Sequence, residues 1–311
     1  MACKVSSGGG SSIEVFIDGA EVEVEDNIYL NYKTTASASV STLPSMYSHG
    51  ESREYVRGGV IYNDKIHIFG GGYSPYYTSV NHWEFTGSNW VSAPTAPFSI
   101  DSNSYCSPIV YNDELYLIYR RFDINGLYKL NGSTWAKISS LPVSFMGCAI
   151  IYDGSINILS ETNHYKWNGS NWVRVSTIPV NVNYDNHNQI VVYNNEIHIL
   201  NRTNHYKWNG QSWSTSSNSL PYVFINGCAI VYNGEIHILG SYYNDDVKRK
   251  HYKWNGLNWT SRSLLPYPFY NGISLEKNNA INILGGDGYD DSGYVSTKHY
   301  SLTDSYSVLI N

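Results

Sequence analysis

Charge is scarce in this chain. Of its 311 residues 15% are Asp, Glu, Lys or Arg, and the formal net charge is −6. The one short basic cluster is Lys248-Arg249-Lys250, and without a basic stripe nucleic acid is not the expected partner. No apolar run approaches the roughly 18 residues of a membrane span, so membrane insertion is not expected either. Residues 1–12, MACKVSSGGGSS, have one Lys and no apolar segment, and they read as a flexible tail rather than a signal peptide. The expected location is cytoplasmic or virion-associated. Cysteine is limited to Cys3 in that tail and to Cys106, Cys148 and Cys228. The last three fall on the corresponding strand of different sequence repeats, beyond the roughly 7 Å between Cα atoms that a disulfide spans, and are expected to be free, buried thiols. Gly-x-Ser-x-Gly, P-loop and Cys-x-x-Cys motifs are missing. No catalytic residue, metal ligand or cofactor is assigned, and no enzyme is expected.

What the chain does have is a repeated phrase. It reads AIIYDGSINIL from Ala149, QIVVYNNEIHIL from Gln189 and AIVYNGEIHIL from Ala229, followed by HYKWNGSNW from His164, HYKWNGQSW from His205 and HYKWNGLNW from His251. Taking the residue that opens the second strand as a marker, six copies appear, at Ile66, Leu115, Ile156, Ile197, Ile236 and Ile281. A period of roughly 40–50 residues means stacked copies of one supersecondary unit.

Each copy holds two hairpins. The first turns at Asn63-Asp64, Asn112-Asp113, Asp153-Gly154, Asn194-Asn195, Asn233-Gly234 or Asn278-Asn279. These residue types tolerate positive φ at both central positions, as a two-residue turn between twisted strands requires. The second turns at the Asn-Gly inside the Trp-Asn-Gly segment. With no secretory signal, the N-x-Ser/Thr sequons at Asn131, Asn168, Asn201 and Asn258 read as turn chemistry. Two hairpins make a four-stranded sheet, and the period is that of propeller blades. The expectation is an all-β propeller over residues 45–311 with six clear four-stranded blades. Residues 13–44 form N-terminal hairpins that either complete a degenerate seventh blade or stand apart as an anchor. Val15 to Pro44 aligns without a gap on Ile150 to Pro179, which sets Val40-Ser41-Thr42-Leu43-Pro44 on Val175-Ser176-Thr177-Ile178-Pro179. Pairing about Asp18-Gly19 places Glu14 opposite Glu23 and Phe16 opposite Glu21, an unfavourable like-charge pairing unless that face is solvated or docked on a basic surface.

A Tyr followed by a Trp seven positions later recurs at Tyr128 and Trp135, Tyr165 and Trp172, Tyr206 and Trp213, and Tyr252 and Trp259, with Trp83 and Trp90 as a variant. A double glycine closes the second strand at Gly70-Gly71 and Gly285-Gly286, is halved at Gly240, and is missing after Ile118, Leu159 and Leu200. In these features the chain resembles the Kelch family of β-propellers, as a divergent member. The resemblance implies a binding or assembly module.

The repeated Tyr and Trp read as fillers of the gap that widens between blades. His67, His198 and His237, and the His before each Tyr (His164, His205, His251, His299), recur by repeat, which places them far apart around a ring and argues against clustered metal ligation. Specificity in such a scaffold lies in its loops. The loops Gly71 to Asn81, Gly240 to Lys250 and Gly286 to Lys298 are long, and ring closure should crowd them into one sector of one face. They carry the candidate ligand-binding residues Tyr73, Tyr76, Tyr77, Tyr242, Tyr243, Asp245, Asp246, Asp287, Tyr289, Asp290, Asp291 and Tyr294, with Tyr76, Tyr243 and Tyr289 as anchors. Asp287 to Gly293 groups carboxylates on a Gly-containing loop but matches no complete calcium motif, and it reads as a solvated acidic turn. Two functions fit: a recognition or structural component of a larger assembly such as a phage or virion appendage, engaging protein partners, or a glycan-binding or glycan-processing propeller that meets a cell-surface glycan through the Tyr/Asp-rich loops.

Overall fold

The computed structural model describes residues 13–17, 20–24, 28–36, 41–44, 55–71, 81–100, 104–182, 189–286, 289–290, 293–294 and 298–310. Six antiparallel sheets follow one another along the chain as the blades of a β-propeller. Blade 1 is Tyr55–Tyr62, Lys65–Gly71, His82–Phe85 and Trp90–Ser92; blade 2 is Tyr105–Tyr111, Glu114–Arg121, Ile124–Asn131 and Thr134–Ser140. In blade 3, Cys148–Tyr152 and Trp172–Val182 flank one long strand, Ser155–Trp167, whose two halves serve as second and third strands on either side of Glu161, which bends there at φ 53°. Blade 4 is Gln189–Tyr193, Glu196–Asn201, Asn204–Trp208 and Trp213–Thr215; blade 5 is Cys228–Tyr232, Glu235–Leu239, His251–Trp254 and Trp259–Ser261. Blade 6 has Ile273–Lys277, Ala280–Leu284 and the first part of Lys298–Ile310.

The turns explain the hairpins. All twelve central residues of the six first turns have positive φ, from 48° at Asn63 to 71° at Gly234. The second turns are capped by their own Asn: Asn168 Oδ1 accepts the backbone N–H groups of Ser170 and Asn171 at 3.0 and 2.7 Å, and Asn209 and Asn255 do the same in their blades. A side-chain acceptor thus stands in for a missing backbone partner.

The core is divided into six wedges, one per blade interface. In the second strands the first and third apolar residues face the preceding blade and the fourth faces the following one. Ile156 and Ile158 pack with Ile109 and Ile118 of blade 2, whereas Leu159 packs with Ile197 and Ile199 of blade 4. Successive side chains alternate between sheet faces, and burial of both faces turns the usual apolar-polar alternation into a nearly continuous apolar run. Each Tyr–Trp pair lies in the wedge shared with the preceding blade, as with Tyr165 and Trp172 against blade 2 and Tyr206 and Trp213 against blade 3.

Ring closure comes from the N-terminal side of the chain. Ser41–Thr42 pairs antiparallel with the third strand of blade 6, setting Ser41 opposite His299 and Thr42 opposite Lys298, and so supplies that blade's fourth strand. The register repeats that of blade 3, where Ser176 lies opposite His164 and Thr177 opposite Asn163. Leu43 is buried in the wedge between blades 6 and 1. Within residues 13–44, therefore, Ser41 to Leu43, which match Ser176 to Ile178, belong to blade 6, and the described residues form six blades.

Two compact units divide the chain, Ala36–Thr303 and a smaller one made of Met1–Thr35 with Asp304–Asn311. The smaller unit holds the hairpin Ile13–Ile17 and Ala20–Val24, whose register places Glu14 opposite Glu23 and Phe16 opposite Glu21 as the turn position predicts.

Candidate ligand-binding cavity and its rim

The six first strands surround an axial cavity of about 420 Å³. That size is within the usual span for small-molecule sites, roughly 300–1,000 Å³. Its wall includes Arg57, Ser104, Tyr105, Gln189, Asn226 and Asn271, together with Cys106, Cys148 and Cys228. Arg57 is the one charged residue among the described lining residues. It occupies a β-bulge: Val56 pairs with Gly70 and Gly58 with Phe69, leaving Arg57 as the extra residue between them. The first-to-second-strand ladders of the other five blades run without a register shift.

The connections that enter the first strands shape one end of this cavity. Phe145, Phe224 and Phe269 are fully buried there. A Cβ on Gly227 would overlap the ring of Phe224, and one on Gly272 the ring of Phe269, so glycine is required beneath these two Phe. Ser241 is buried and ties loop to connection, donating to the Val223 carbonyl at 2.9 Å and accepting from Ile225 N–H at 3.1 Å. Ser160 accepts Met146 N–H at 3.0 Å in the same way in blade 3.

Strand direction puts the loops between second and third strands on the face where the first strands begin. In blade 5 this loop is described throughout. Tyr242 N–H donates to the Ile225 carbonyl at 2.8 Å and its ring lies 5.2 Å from that of Tyr270, next to the lining residues Asn226 and Asn271. Tyr242 and Tyr243 are exposed, at 56% and 52%. Asp245 and Asp246 are exposed as well, and Asp245 pairs with Lys248 at 2.6 Å, which holds its carboxyl below the usual range. Val247 is buried and anchors the loop. Of the other candidates, Tyr289, Asp290 and Tyr294 lie on short strands whose side chains are outside the described set. Tyr73, Tyr76, Tyr77, Asp287 and Asp291 lie outside the described residues. Sequence reasoning missed Arg57 and the cavity. The available signal was Gly58-Gly59 inside a strand pattern, which marks a bulge or a close backbone approach.

The histidines are not isolated around the ring; they are paired inside blades. His67 and His82 are 2.9 Å apart, His198 and His205 2.7 Å, and His237 and His251 2.8 Å. Asn157 replaces the first member beside His164 at 2.8 Å, and Asn282 beside His299 at 2.9 Å. Burial pushes the imidazoles down, to about 4 at His82, His164, His198 and His299 and about 3 at His205 and His251, so they are neutral. Blade 2 has Tyr116 and Leu127 at these two positions. No group of three or more metal-ligating side chains occurs among the described residues.

One constellation imitates a catalytic triad. Asn157 Nδ2 donates to the Tyr152 carbonyl at 3.0 Å, so its Oδ1 accepts from His164 Nε2–H. His164 Nδ1 then accepts from the Ser176 hydroxyl at 3.3 Å, and Ser176 Oγ accepts the Trp213 indole N–H at 2.9 Å. Blade 6 repeats the order with Asn282, His299, Ser41 and Trp90, at 2.9, 3.1 and 3.1 Å. Serine, imidazole and an orienting group are the parts of a nucleophilic site. Here the next blade's Trp sits on the serine oxygen, and the recurrence in two blades marks a packing device.

Cys106, Cys148 and Cys228 are free. Cys228 is buried, whereas Cys106 and Cys148 are half-buried, more open than expected. Cys148 and Cys228 take equivalent positions, opposite Leu159 and Leu239, but Cys106 is offset by one residue, with Ser107 opposite Ile118 in the equivalent place. The thiols therefore face different wedges: Cys106 packs between blades 1 and 2, and Cys228 donates to the Gly272 carbonyl of blade 6 at 3.0 Å. Desolvation raises the Cys148 and Cys228 thiols to about 11 and about 12, which keeps them protonated and unreactive.

No family model matches the sequence, and no curated protein matches it. Solved structures do match. The structure of YjhT aligns with 86% of this chain and 100% of its own, with a TM-score of 0.63 at 13% sequence identity. The likeness is one of fold. No helix among the described residues is long and apolar enough to cross a membrane.

Proposed function

We propose that the chain is a divergent Kelch-like propeller acting as a non-enzymatic recognition and assembly module, engaging protein partners within a larger assembly such as a phage or virion appendage. The observation that carries this reading is the pair of exposed rings at Tyr242 and Tyr243, set on a loop pinned by Ser241 and Val247 at the face where the first strands begin. Aromatics presented on a rigid support lose little freedom on contact, and such residues dominate binding energy in protein interfaces. The separate compact unit of residues 1–35 and 304–311 supports the assembly role, since it offers a second element for attachment.

The same loop favours a second reading, recognition of a cell-surface glycan. Tyr242 and Tyr243 supply stacking planes, and Asp246 offers a carboxylate to sugar hydroxyls while Asp245 is held by Lys248. Glycan-array binding measured alongside native mass decides between the two. Co-purifying protein partners, lost in a Tyr242→Ala/Tyr243→Ala variant that still melts like the parent, support the assembly module. A monomer that binds glycans, and loses them in that variant, supports the second reading. A folded variant with undiminished binding of either kind withdraws the rim as the site.

A further inference from the structure

We propose that the wedge between blades 4 and 5 is a binding site for one internal water molecule, which bridges the imidazole of His205 and the indole of Trp259. The site is separate from the rim and does not depend on its role.

Four wedges set the third-strand histidine of one blade against the fourth-strand tryptophan of the next in one geometry. The ring centroids are 6.1 Å apart for His82 and Trp135, 6.2 Å for His164 and Trp213, 6.1 Å for His205 and Trp259, and 6.2 Å for His299 and Trp90, with interplanar angles from 58° to 67°. In three of these wedges a single oxygen meets both rings. The Pro94 carbonyl lies 3.0 Å from His82 Nδ1 and 3.3 Å from Trp135 Nε1, and the hydroxyls of Ser176 and Ser41 take the same place in blades 3 and 6. In the wedge of blades 4 and 5, His205 Nδ1 and Trp259 Nε1 are both buried, and neither has a hydrogen-bond partner among the described residues. His205 is only 1% exposed, and a buried polar atom left unpaired is costly. The rings keep the spacing that elsewhere encloses an oxygen.

The sequence of blade 4 explains why the chain does not supply that oxygen itself. Ser176 stands two residues beyond Arg174, the partner of Tyr165; the corresponding residue is Ser217, two beyond Thr215, the partner of Tyr206. The stretch from Trp213 to Pro221 is one residue longer than that from Trp172 to Pro179, and its strand stops at Thr215. Ser217 is exposed, and Ser216 accepts the backbone N–H of Asn218 at 3.3 Å.

The direction of the hydrogen bonds sets the class of ligand. His198 Nε2–H donates to the Tyr193 carbonyl at 3.2 Å, so its Nδ1 accepts from His205 Nε2–H at 2.7 Å. His205 Nδ1 is then an acceptor, burial keeps the ring neutral, and the indole can only donate. The bridging group must give one proton and take another. A metal cation cannot accept the indole proton, and a carboxylate cannot supply one to the imidazole. Water does both, and buried waters bridge otherwise unsatisfied polar groups in this way.

Cross-relaxation between water and the indole N–H groups of the full chain tests this, with Trp259→Phe assigning the resonance. Trp259 should show the cross-peak of a long-lived bound water, and Trp135, which donates to a carbonyl, should show none. Serine hydroxyl protons exchange with water and give a similar signal, so the measurement is repeated in Ser216→Ala/Ser217→Ala, where the Trp259 cross-peak should persist. The proposal is overturned by a missing Trp259 cross-peak, by one of equal strength at Trp135, or by its loss in a serine variant that melts like the parent. If that variant melts early, a high-resolution crystal structure of the parent decides: an ordered oxygen bonded to both nitrogens and not part of the chain supports the site, and a side chain in that place, or no such oxygen, overturns it.

Discussion

Blades 3 and 6 use the same four kinds of side chain in the same hydrogen-bonded order, and they differ in where the serine comes from. In blade 3, Ser176 lies 12 residues beyond His164; in blade 6, Ser41 lies 258 residues before His299. The geometry is nearly the same, down to the Trp that reaches in from the next blade. Local sequence therefore builds the blade, and long-range pairing of a matching fragment shuts the ring. The chain entropy of that pairing is lost before its contacts are gained.

Acid should break both blades together and gives the largest effect. The buried imidazoles have folded values near 3 to 4, below their ordinary 6.5. The unfolded chain then binds more protons than the folded one across that interval, so stability is full above about pH 6.5 and falls as pH drops toward 4. Melting curves from pH 7 to 4 should show a steep loss. Replacing His237 with Tyr and His251 with Leu, the pair that blade 2 uses, should make the slope shallower; an unchanged slope would remove that pair as a contributor to it.

Trp213→Ala and Trp90→Ala come next, at about 3–5 kcal/mol each, through the cavity left in a wedge and the serine left without its donor. Equal losses by denaturant titration would show that the two relays are energetic equals. A much smaller loss for Trp90 would mean that blade 6 relaxes where blade 3 does not.

Ser41→Ala and Ser176→Ala should each cost about 1–3 kcal/mol, since each strands a buried imidazole nitrogen and an indole N–H. Kinetics should separate them. Closure by a distant strand forms late, so Ser41→Ala is expected to speed unfolding and leave the folding rate alone. A slowed folding rate would place closure in the transition state.

Tyr242→Ala and Tyr243→Ala should change stability least, by no more than about 0.5 kcal/mol, because exposed loop rings away from core features are nearly neutral. A larger loss in thermal melts would show that these rings brace the loop.

What could be read from the sequence followed the range of each interaction. The turns at Asn63-Asp64 and its five equivalents were readable because positive φ is a property of the two residues concerned. The Tyr and Trp roles followed from the period, since a residue repeated in every blade meets the same neighbour each time. Ser41 to Pro44 was visible as a match to Ser176 to Pro179, but its partner His299 lay too far along the chain to suggest closure. The histidine pairs were hidden by loop length: the partners are 7 residues apart in blade 4 but 15 in blade 1. Arg57 escaped because a bulge is one extra residue in one strand, and periodicity averages it away. Tyr242 and Tyr243 stand exposed on a loop that its length alone had singled out.

The closing strand also sets a schedule for biosynthesis. Ser41 to Leu43 leave the ribosome before any blade and have no strand to pair with until the third strand of blade 6 follows, 258 residues later. At roughly 5–20 residues per second, that interval amounts to about 13–50 seconds. Throughout it the segment is an unpaired strand tethered to a growing stack of blades, whose last open edge is the surface it must eventually cover. A nascent chain stalled before His299 would hold five finished blades and an unclosed ring, and that is the stage at which pairing with the wrong edge, on the same chain or a neighbouring one, is easiest.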